Sequence, residues 1–180
     1  MKVVEAQLDG VLLIDPVIHH DFRGRFAELY EESRYHAIGV GANFVQDNIS
    51  CSSYGVIRGL HYQTRNPQGK LVTCLQGSIF DVVVDVRKSS PTAGRAFTVV
   101  LEEKSFSQIW VPPGFAHGFA VLSENAVIQY KCTEFYSPQF EVGVRWNDDS
   151  LGISWPVHDP IISEKDRLLP LFNDIDLLTV

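Results

Sequence analysis

Short runs of β-branched and aromatic residues recur along the whole chain, and turn-forming residues separate them. The runs cover residues 11–14, 26–30, 56–62, 71–75, 79–86, 96–101, 108–111, 118–122 and 126–132. Breakers such as Pro112-Pro113-Gly114 recur about every 8 to 12 residues, a rhythm typical of an antiparallel sandwich or barrel. We therefore expect an all-β core.

Helical patterns are few and lie at the periphery. Residues 31–38 could form two turns, and residues 163–169 open with Ser-x-x-Asp, which is similar to a capping box. A length of 180 residues fits one domain. We expect a single domain over residues 1–180, with an amino-terminal arm over about 1–25 and a carboxyl-terminal helical tail over about 160–180.

Net charge and cysteine content restrict the binding partners and the cellular compartment that we expect for this chain. The 15 basic and 22 acidic side chains leave a net charge of −7, which disfavours binding to nucleic acid or an anionic membrane. An anionic ligand would need a local basic pocket. Cys51, Cys74 and Cys132 lack paired or metal-type spacing, which indicates reduced thiols in a cytoplasmic protein. The first 16 residues carry acidic side chains and no basic leader, so we expect no export.

The stretch 55–63 embeds polar groups in a predicted strand. Arg58 and His61 lie there among apolar residues, and Gly59 separates them. A plain reading of His61 is a hydrogen-bonded histidine of the core. Strict alternation would place Arg58 and His61 on opposite faces of the sheet, unless Gly59 permits a bulge. If both side chains serve one pocket, the backbone must be irregular here.

A second histidine, His117, follows the turn Pro112-Pro113-Gly114. The pattern Pro-x-Gly-x-x-His resembles one of the two metal-binding elements of cupins, which are small β-barrels. The first cupin element normally supplies His-x-His and Glu, but this chain has His61-Tyr62-Gln63 with Lys70 downstream. An ammonium disfavours a nearby cation, and two histidines are too few for a tight site. We therefore predict no metal.

A base, a cation and an acid remain as candidates in a metal-free pocket. Removing a proton next to a ketone needs a base, a group that stabilises the enolate oxygen and, for inversion, a donor on the opposite face. His61, Lys70 and Tyr130 supply these three types. Local sequence leaves alternatives open, because Lys70 could be a surface residue after a turn and Tyr130 a half-buried strand tyrosine.

From residue 11 to residue 169 the chain resembles the dTDP-4-dehydrorhamnose 3,5-epimerases, which have a cupin fold. Seven blocks carry the resemblance, in order: residues 21–26 (DFRGRF), 44–48 (FVQDN), 58–63 (RGLHYQ), 69–72 (GKLV), 110–119 (WVPPGFAHGF), 130–138 (YKCTEFYSP) and 163–166 (SEKD). The resemblance implies a cupin-type double-stranded β-helix, or jelly-roll barrel, with a few short peripheral helices. It also implies a cofactor-independent isomerase of dTDP-rhamnose biosynthesis, a pathway that supplies lipopolysaccharide or other cell-surface polysaccharide.

The same resemblance implies the residue roles. His61 is the general base, Asp166 its charged partner, Tyr130 the acid on the opposite face and Lys70 the ammonium near the sugar carbonyl. Asp166 could instead act only in the helix cap after Ser163. The resemblance also places these residues around the nucleotide sugar, together with Lys70: Arg23, Glu28, Gln46, Asp47, Asn48, Arg58, His117, Glu141 and Lys165. A homodimer is implied as well, in which an edge strand near the amino terminus completes the sheet of the neighbour.

Three other functions stay open at this point. The enzyme could invert only C3 or only C5 of a related dTDP-keto sugar, because single-carbon epimerases share much of the motif set. His61 and His117 could serve a metal-dependent cupin. A cupin that binds sugar without catalysis is the third alternative.

Overall fold

The protein is described from a computed structural model, in which residues 1–41 and 43–179 are covered. Thirteen strands occur in this part of the chain: β1 (Lys2–Glu5), β2 (Leu12–Asp15), β3 (Ile18–Asp21), β4 (Gly24–Ala27), β5 (Gln46–Ser53), β6 (Ile57–Gln63), β7 (Lys70–Gln76), β8 (Ser78–Asp85), β9 (Ala96–Glu102), β10 (Gln108–Val111), β11 (Phe115–Val121), β12 (Asn125–Cys132) and β13 (Glu141–Gly143). Two α-helices are present, α1 (Glu32–Ala37) and α2 (Glu164–Arg167). Short 3₁₀ turns occupy Pro138–Phe140, Asp149–Leu151 and Phe172–Asp174.

Two antiparallel sheets form the body of the fold. The six-stranded sheet has the order β1-β2-β10-β7-β12-β5, and the five-stranded sheet has the order β13-β6-β11-β8-β9. Strands β3 and β4 form a separate hairpin. The expected all-β core is confirmed.

Apolar side chains from both sheets meet in the core. Val83 of β8 and Phe119 of β11 pack in one cluster with Val72 of β7 and Ile128 of β12. Strand β11 is buried along its whole length, which explains why its sequence is apolar without alternation. Stacked sheets lie about 10 Å apart, so any space left between them is narrow and lined from both sides.

The first 27 residues contribute both to the body and to a projecting hairpin. Within the predicted amino-terminal arm, β1 pairs with β2, and β2 pairs with β10 of the large sheet. The β3–β4 hairpin exposes Phe22 at 97% and Phe26 at 68% of their surface. Exposure of two large aromatic side chains on one hairpin marks it as a surface suited to contact with another molecule.

Both helices are short and are capped by side chains. Glu31 caps α1 by accepting hydrogen bonds from the backbone N–H groups of Ser33 and Arg34. Helix α2 is shorter than the predicted 163–169, because it ends at Arg167 with Leu168 as its cap. Pro170 explains the early end, since a proline disfavours helical backbone in the residue before it. None of the helices described has the length and apolar character needed to cross a membrane.

Candidate active site

One cavity of about 600 Å³ lies between β5, β12 and β7 of the large sheet and β6 and β11 of the small sheet. Ten of the thirteen residues predicted from the sequence line it: Gln46, Asn48, Arg58, His61, Lys70, His117, Tyr130, Glu141, Lys165 and Asp166. The four residues predicted to be catalytic therefore share one space.

A bulge in β6 brings Arg58 and His61 to the same cavity. In the pairing of β6 with β11, His61 lies opposite His117 and Arg58 lies opposite Phe119, so β6 contains one extra residue over this interval. Gly59 makes the bulge possible, because its φ of +119° is a conformation that other residues rarely adopt. A Cβ at this position would also lie only 2.6 Å from the Cα of Gly118. The expected irregular backbone is confirmed.

His61 and Asp166 form a hydrogen-bonded pair in the cavity wall. His61 Nε2 lies 2.7 Å from Asp166 Oδ1, and the backbone N–H of Gly59 donates to Asp166 Oδ2 at 3.3 Å. Burial raises the pKa of Asp166, but the hydrogen bonds from His61 and Gly59 outweigh it and the pKa is lowered. An ionised Asp166 accepts a hydrogen bond from Nε2–H, so Nδ1 of neutral His61 carries the lone pair.

The cap of α2 and the contact with His61 use different atoms of Asp166. Ser163 Oγ accepts a hydrogen bond from the backbone N–H of Asp166 at 3.1 Å, which caps α2. The Asp166 carboxylate is therefore left to contact His61. The cap is thus made by the Ser163 side chain, and the Asp166 side chain contacts His61 instead of acting in the cap.

Lys70 enters the cavity from the large sheet. Its Nζ donates to the backbone carbonyl of His61 at 3.5 Å, so the ammonium lies beside that residue. Burial lowers the pKa of Lys70, and the nearby Cys132 and Asp81 partly oppose this. A poorly hydrated ammonium in this place is suited to stabilise an oxyanion.

Tyr130 lies on β12, whereas His61 lies on β6 of the facing sheet. The phenol and the imidazole therefore enter the cavity from opposite walls. Burial raises the pKa of Tyr130, and the charge of Arg58 only partly opposes this effect. The phenol thus keeps its proton at neutral pH and is available as an acid.

A second imidazole–carboxylate pair borders the same cavity. His117 Nε2 lies 2.9 Å and 3.0 Å from the two carboxylate oxygens of Asp81, which is fully buried. Each histidine of the cavity thus has its own carboxylate partner. Among residues 1–41 and 43–179, no three His, Cys, Asp or Glu side chains are grouped so as to hold a metal ion.

Polar contacts connect the residues at the mouth of the cavity. Gln46 donates to Asn48 at 2.9 Å and accepts from the backbone N–H of Tyr136 at 2.9 Å. The Tyr136 hydroxyl donates to Glu141 at 3.0 Å, and Lys165 forms an ion pair with the same carboxylate. Tyr136 therefore connects four of the side chains that the sequence assigns to substrate binding, Gln46, Asn48, Glu141 and Lys165.

Comparisons with known proteins show the family to which the chain belongs. The family model described as dTDP-4-dehydrorhamnose 3,5-epimerase matches residues 5–174. The chain belongs to this family. The enzyme is 46% identical to the dTDP-4-dehydrorhamnose 3,5-epimerase of Shigella flexneri over 178 residues, which is 98% of each chain. The resemblance and the isomerase class predicted from the sequence are confirmed.

Solved structures agree with the sequence comparison. The dTDP-6-deoxy-D-glucose-3,5-epimerase of Legionella pneumophila, solved in complex with dTDP-4-keto-L-rhamnose, superposes with a TM-score of 0.96 at 43% identity and covers 99% of this chain and 98% of its own. A 3'-monoepimerase from Streptomyces bikiniensis superposes with a TM-score of 0.88 at 33% identity, covering 93% and 86% of the two chains. The cupin-type fold is confirmed.

Three predicted substrate-binding residues of the enzyme lie outside its cavity lining. Arg23 pairs with Asp21 on the exposed hairpin, and Glu28 pairs with Arg34. Asp47 is exposed and pairs with Lys131 at 2.7 Å. Strand alternation accounts for Asp47, since Gln46 and Asn48 on either side of it point toward the cavity.

Other lining residues of the enzyme were not foreseen from the sequence. They are Ser50, Gln68, Cys132 and Tyr136, together with apolar residues such as Phe119. Asp81, the partner of His117, was also missed, because an aspartate within a run of valines gives no local sign of its contact. Tyr136 and Cys132 could have been found, since both lie in the block 130–138 that carried the resemblance.

Proposed function

We propose that the enzyme converts dTDP-4-keto-6-deoxyglucose into dTDP-4-keto-L-rhamnose by inverting C3 and C5, as a step in dTDP-rhamnose biosynthesis. The main support is that His61 and Tyr130 reach one cavity from facing sheets. A base and an acid on opposite sides of a bound ring are what inversion by proton transfer requires. The names of the relatives in Shigella and Legionella give independent support.

In this proposal His61 removes the proton next to the C4 ketone. Because Asp166 accepts a hydrogen bond from Nε2–H, Nδ1 is the basic atom and the imidazolium that forms is stabilised by the carboxylate. The electron pair of the broken C–H bond moves to the C4 oxygen and forms an enolate. The Lys70 ammonium beside His61 stabilises that oxygen by about 3 kcal/mol, as single oxyanion donors do.

Tyr130 then completes the inversion. Its phenol donates a proton to the carbon from the face opposite His61, and the enolate collapses to the ketone. The imidazolium loses its proton and the phenolate regains one by exchange with water, so that the cycle can repeat at the second carbon. The substrate ketone itself accepts the electron pair, so the proposed steps need no cofactor and no metal.

Deuterium incorporation tests this reaction directly. We expect the enzyme, incubated with dTDP-4-keto-6-deoxyglucose in heavy water, to place deuterium at both C3 and C5. Proton NMR of the product sugar measures the label and the ring couplings together. Label at one carbon alone would replace the proposal with a single-carbon epimerase, and recovery of unlabelled substrate would refute epimerisation.

For the pyrophosphate we propose Arg58 as the main cation. Its Nε is fixed by Ser52 Oγ at 3.1 Å, and no carboxylate of the described residues pairs with its guanidinium. Replacing Arg58 with Lys keeps the charge but removes the planar fork that suits phosphate oxygens. We expect the Kd for dTDP to rise about tenfold, by calorimetric titration. An unchanged Kd would show that Arg58 does not hold the phosphates.

The remaining polar lining residues are proposed to hold the nucleotide sugar. This set comprises Gln46, Asn48, His117, Glu141 and Lys165.

We further propose that the enzyme is a homodimer in which the β3–β4 hairpin of one protomer contacts the other. The hairpin exposes Phe22 and Phe26, and β1 with its exposed Val4 forms an outer edge of the large sheet. Arg23 and Glu28 do not line the cavity of their own protomer. In a dimer they could instead contact the substrate bound in the cavity of the other protomer. Analytical ultracentrifugation should give twice the mass of one chain, and a monomer would contradict the proposal.

For the compartment we propose the cytoplasm, because three free cysteines fit a reducing environment. Cell fractionation tests this, and recovery in an exported fraction would contradict it.

A further inference from the structure

One face of β5 lines the cavity with polar side chains. Gln46, Asn48, Ser50 and Ser52 alternate along the strand and are half-buried, whereas the residues between them are exposed. Gln46 and Asn48 bond each other, and Ser52 accepts from Arg58. Three of the four side chains thus have a protein partner.

Ser50 is the exception. Its Oγ is shielded from solvent and has no hydrogen-bond partner among the residues that the structure describes. Directly across the strand pair lies Ile128, which is fully buried and offers its side chain no polar atom. A buried hydroxyl without a hydrogen-bond partner destabilises a protein, so the presence of a serine here calls for another explanation.

The position of Ser50 indicates that a hydrogen-bond partner would come from a molecule bound in the cavity. The residue lines the cavity, and a serine side chain can turn from one staggered rotamer to another at small cost. Its hydroxyl then supplies one donor to a bound molecule. The next residue on the same face, Ser52, fixes the guanidinium of Arg58, so a molecule near Ser50 is also near an unpaired positive charge.

We infer that Ser50 donates a hydrogen bond to a phosphate oxygen of the bound nucleoside diphosphate, and that Ser50 and Arg58 together form one phosphate subsite. The inference rests on the proposed function only in taking the ligand to be a nucleoside diphosphate sugar. A phosphate oxygen is preferred to a sugar hydroxyl because Arg58, whose Nε is held by Ser52 two positions along the same face, lines the same cavity and attracts the anionic part of the ligand. Hydrogen bonds from hydroxyls to such charged oxygens are stronger than those to neutral groups.

Titration of dTDP into the intact enzyme tests the inference without turnover. We expect Ser50→Ala to raise the Kd for dTDP about tenfold, which corresponds to the loss of one hydrogen bond to a charged group. The melting temperature should stay the same or rise, because the variant removes a buried hydroxyl that has no protein partner. Ser53→Ala, on the exposed face of the same strand, is the matched control and should leave the Kd and turnover unchanged.

Two outcomes would overturn the inference. An unchanged Kd for dTDP, with weaker binding of the keto sugar nucleotide alone, would assign the hydroxyl to the sugar instead. A lower melting temperature together with weaker binding would assign Ser50 a structural role. Epimerisation by the unaltered enzyme is measured separately, so its absence would refute the proposed reaction and leave the phosphate subsite to be judged by dTDP binding.

Discussion

Replacing His61 with Asn lowers kcat by about 10³-fold, which is within the range expected for the loss of a general base. Asparagine retains a polar side chain of similar reach but has no basic nitrogen at neutral pH. Deuterium incorporation at C3 and C5 should be lost to the same extent, because His61 carries out the first step at both carbons. Single-turnover kinetics and NMR in heavy water measure the two effects.

His158→Asn is the matched control for this variant. His158 is exposed and lies outside the cavity lining, so its replacement should leave kcat unchanged. The Kd of the His61 variant for dTDP should stay close to that of the unaltered enzyme. A kcat within tenfold of normal would rule out His61 as the base.

Replacing Tyr130 with Phe separates the two half-reactions. The ring and its packing are retained while the acidic proton is lost, and we expect formation of the inverted sugar to fall by about 10² to 10³-fold. His61 and Lys70 remain in place, so proton removal continues and the enolate returns to the original configuration. NMR in heavy water should therefore show deuterium in substrate of unchanged configuration.

Tyr54→Phe is the control for loss of a phenol, because Tyr54 is 55% exposed and does not line the cavity. If the Tyr130 variant forms inverted product at a normal rate, another group donates the proton. If it neither inverts nor exchanges, Tyr130 acts before or during proton removal.

The turn rhythm and the apolar runs were sufficient to predict the all-β core, but not every strand. β5 was missed because the face that it turns to the cavity is polar, with Gln46, Asn48, Ser50 and Ser52. A strand whose inner face is polar lacks the apolar alternation by which hydrophobic periodicity detects strands. The same strand carries Gln46, Asn48 and Ser50, so the missed element is part of the site.

Parts of the candidate site could be predicted from local residue spacing, and other parts only from the family resemblance. The odd spacing of Arg58 and His61 correctly predicted irregular backbone around Gly59. This prediction was possible because all three residues lie in one short stretch of sequence. The pairing of Asp166 with His61 joins residues 105 positions apart, and only the family resemblance linked them. The lack of a partner for the Ser50 hydroxyl and the contact of Asp81 with His117 depend on which strands are neighbours in the fold. Local sequence patterns do not predict such pairings.

The proposed acid and the proposed base belong to different sheets, so the separation of the two groups depends on how far apart the sheets pack. Side chains such as Val83 and Ile128 fill the interior between the sheets and do not line the cavity. Substitutions at such interior positions are therefore expected to change the placement of the acid relative to the base, although every residue of the cavity lining stays the same.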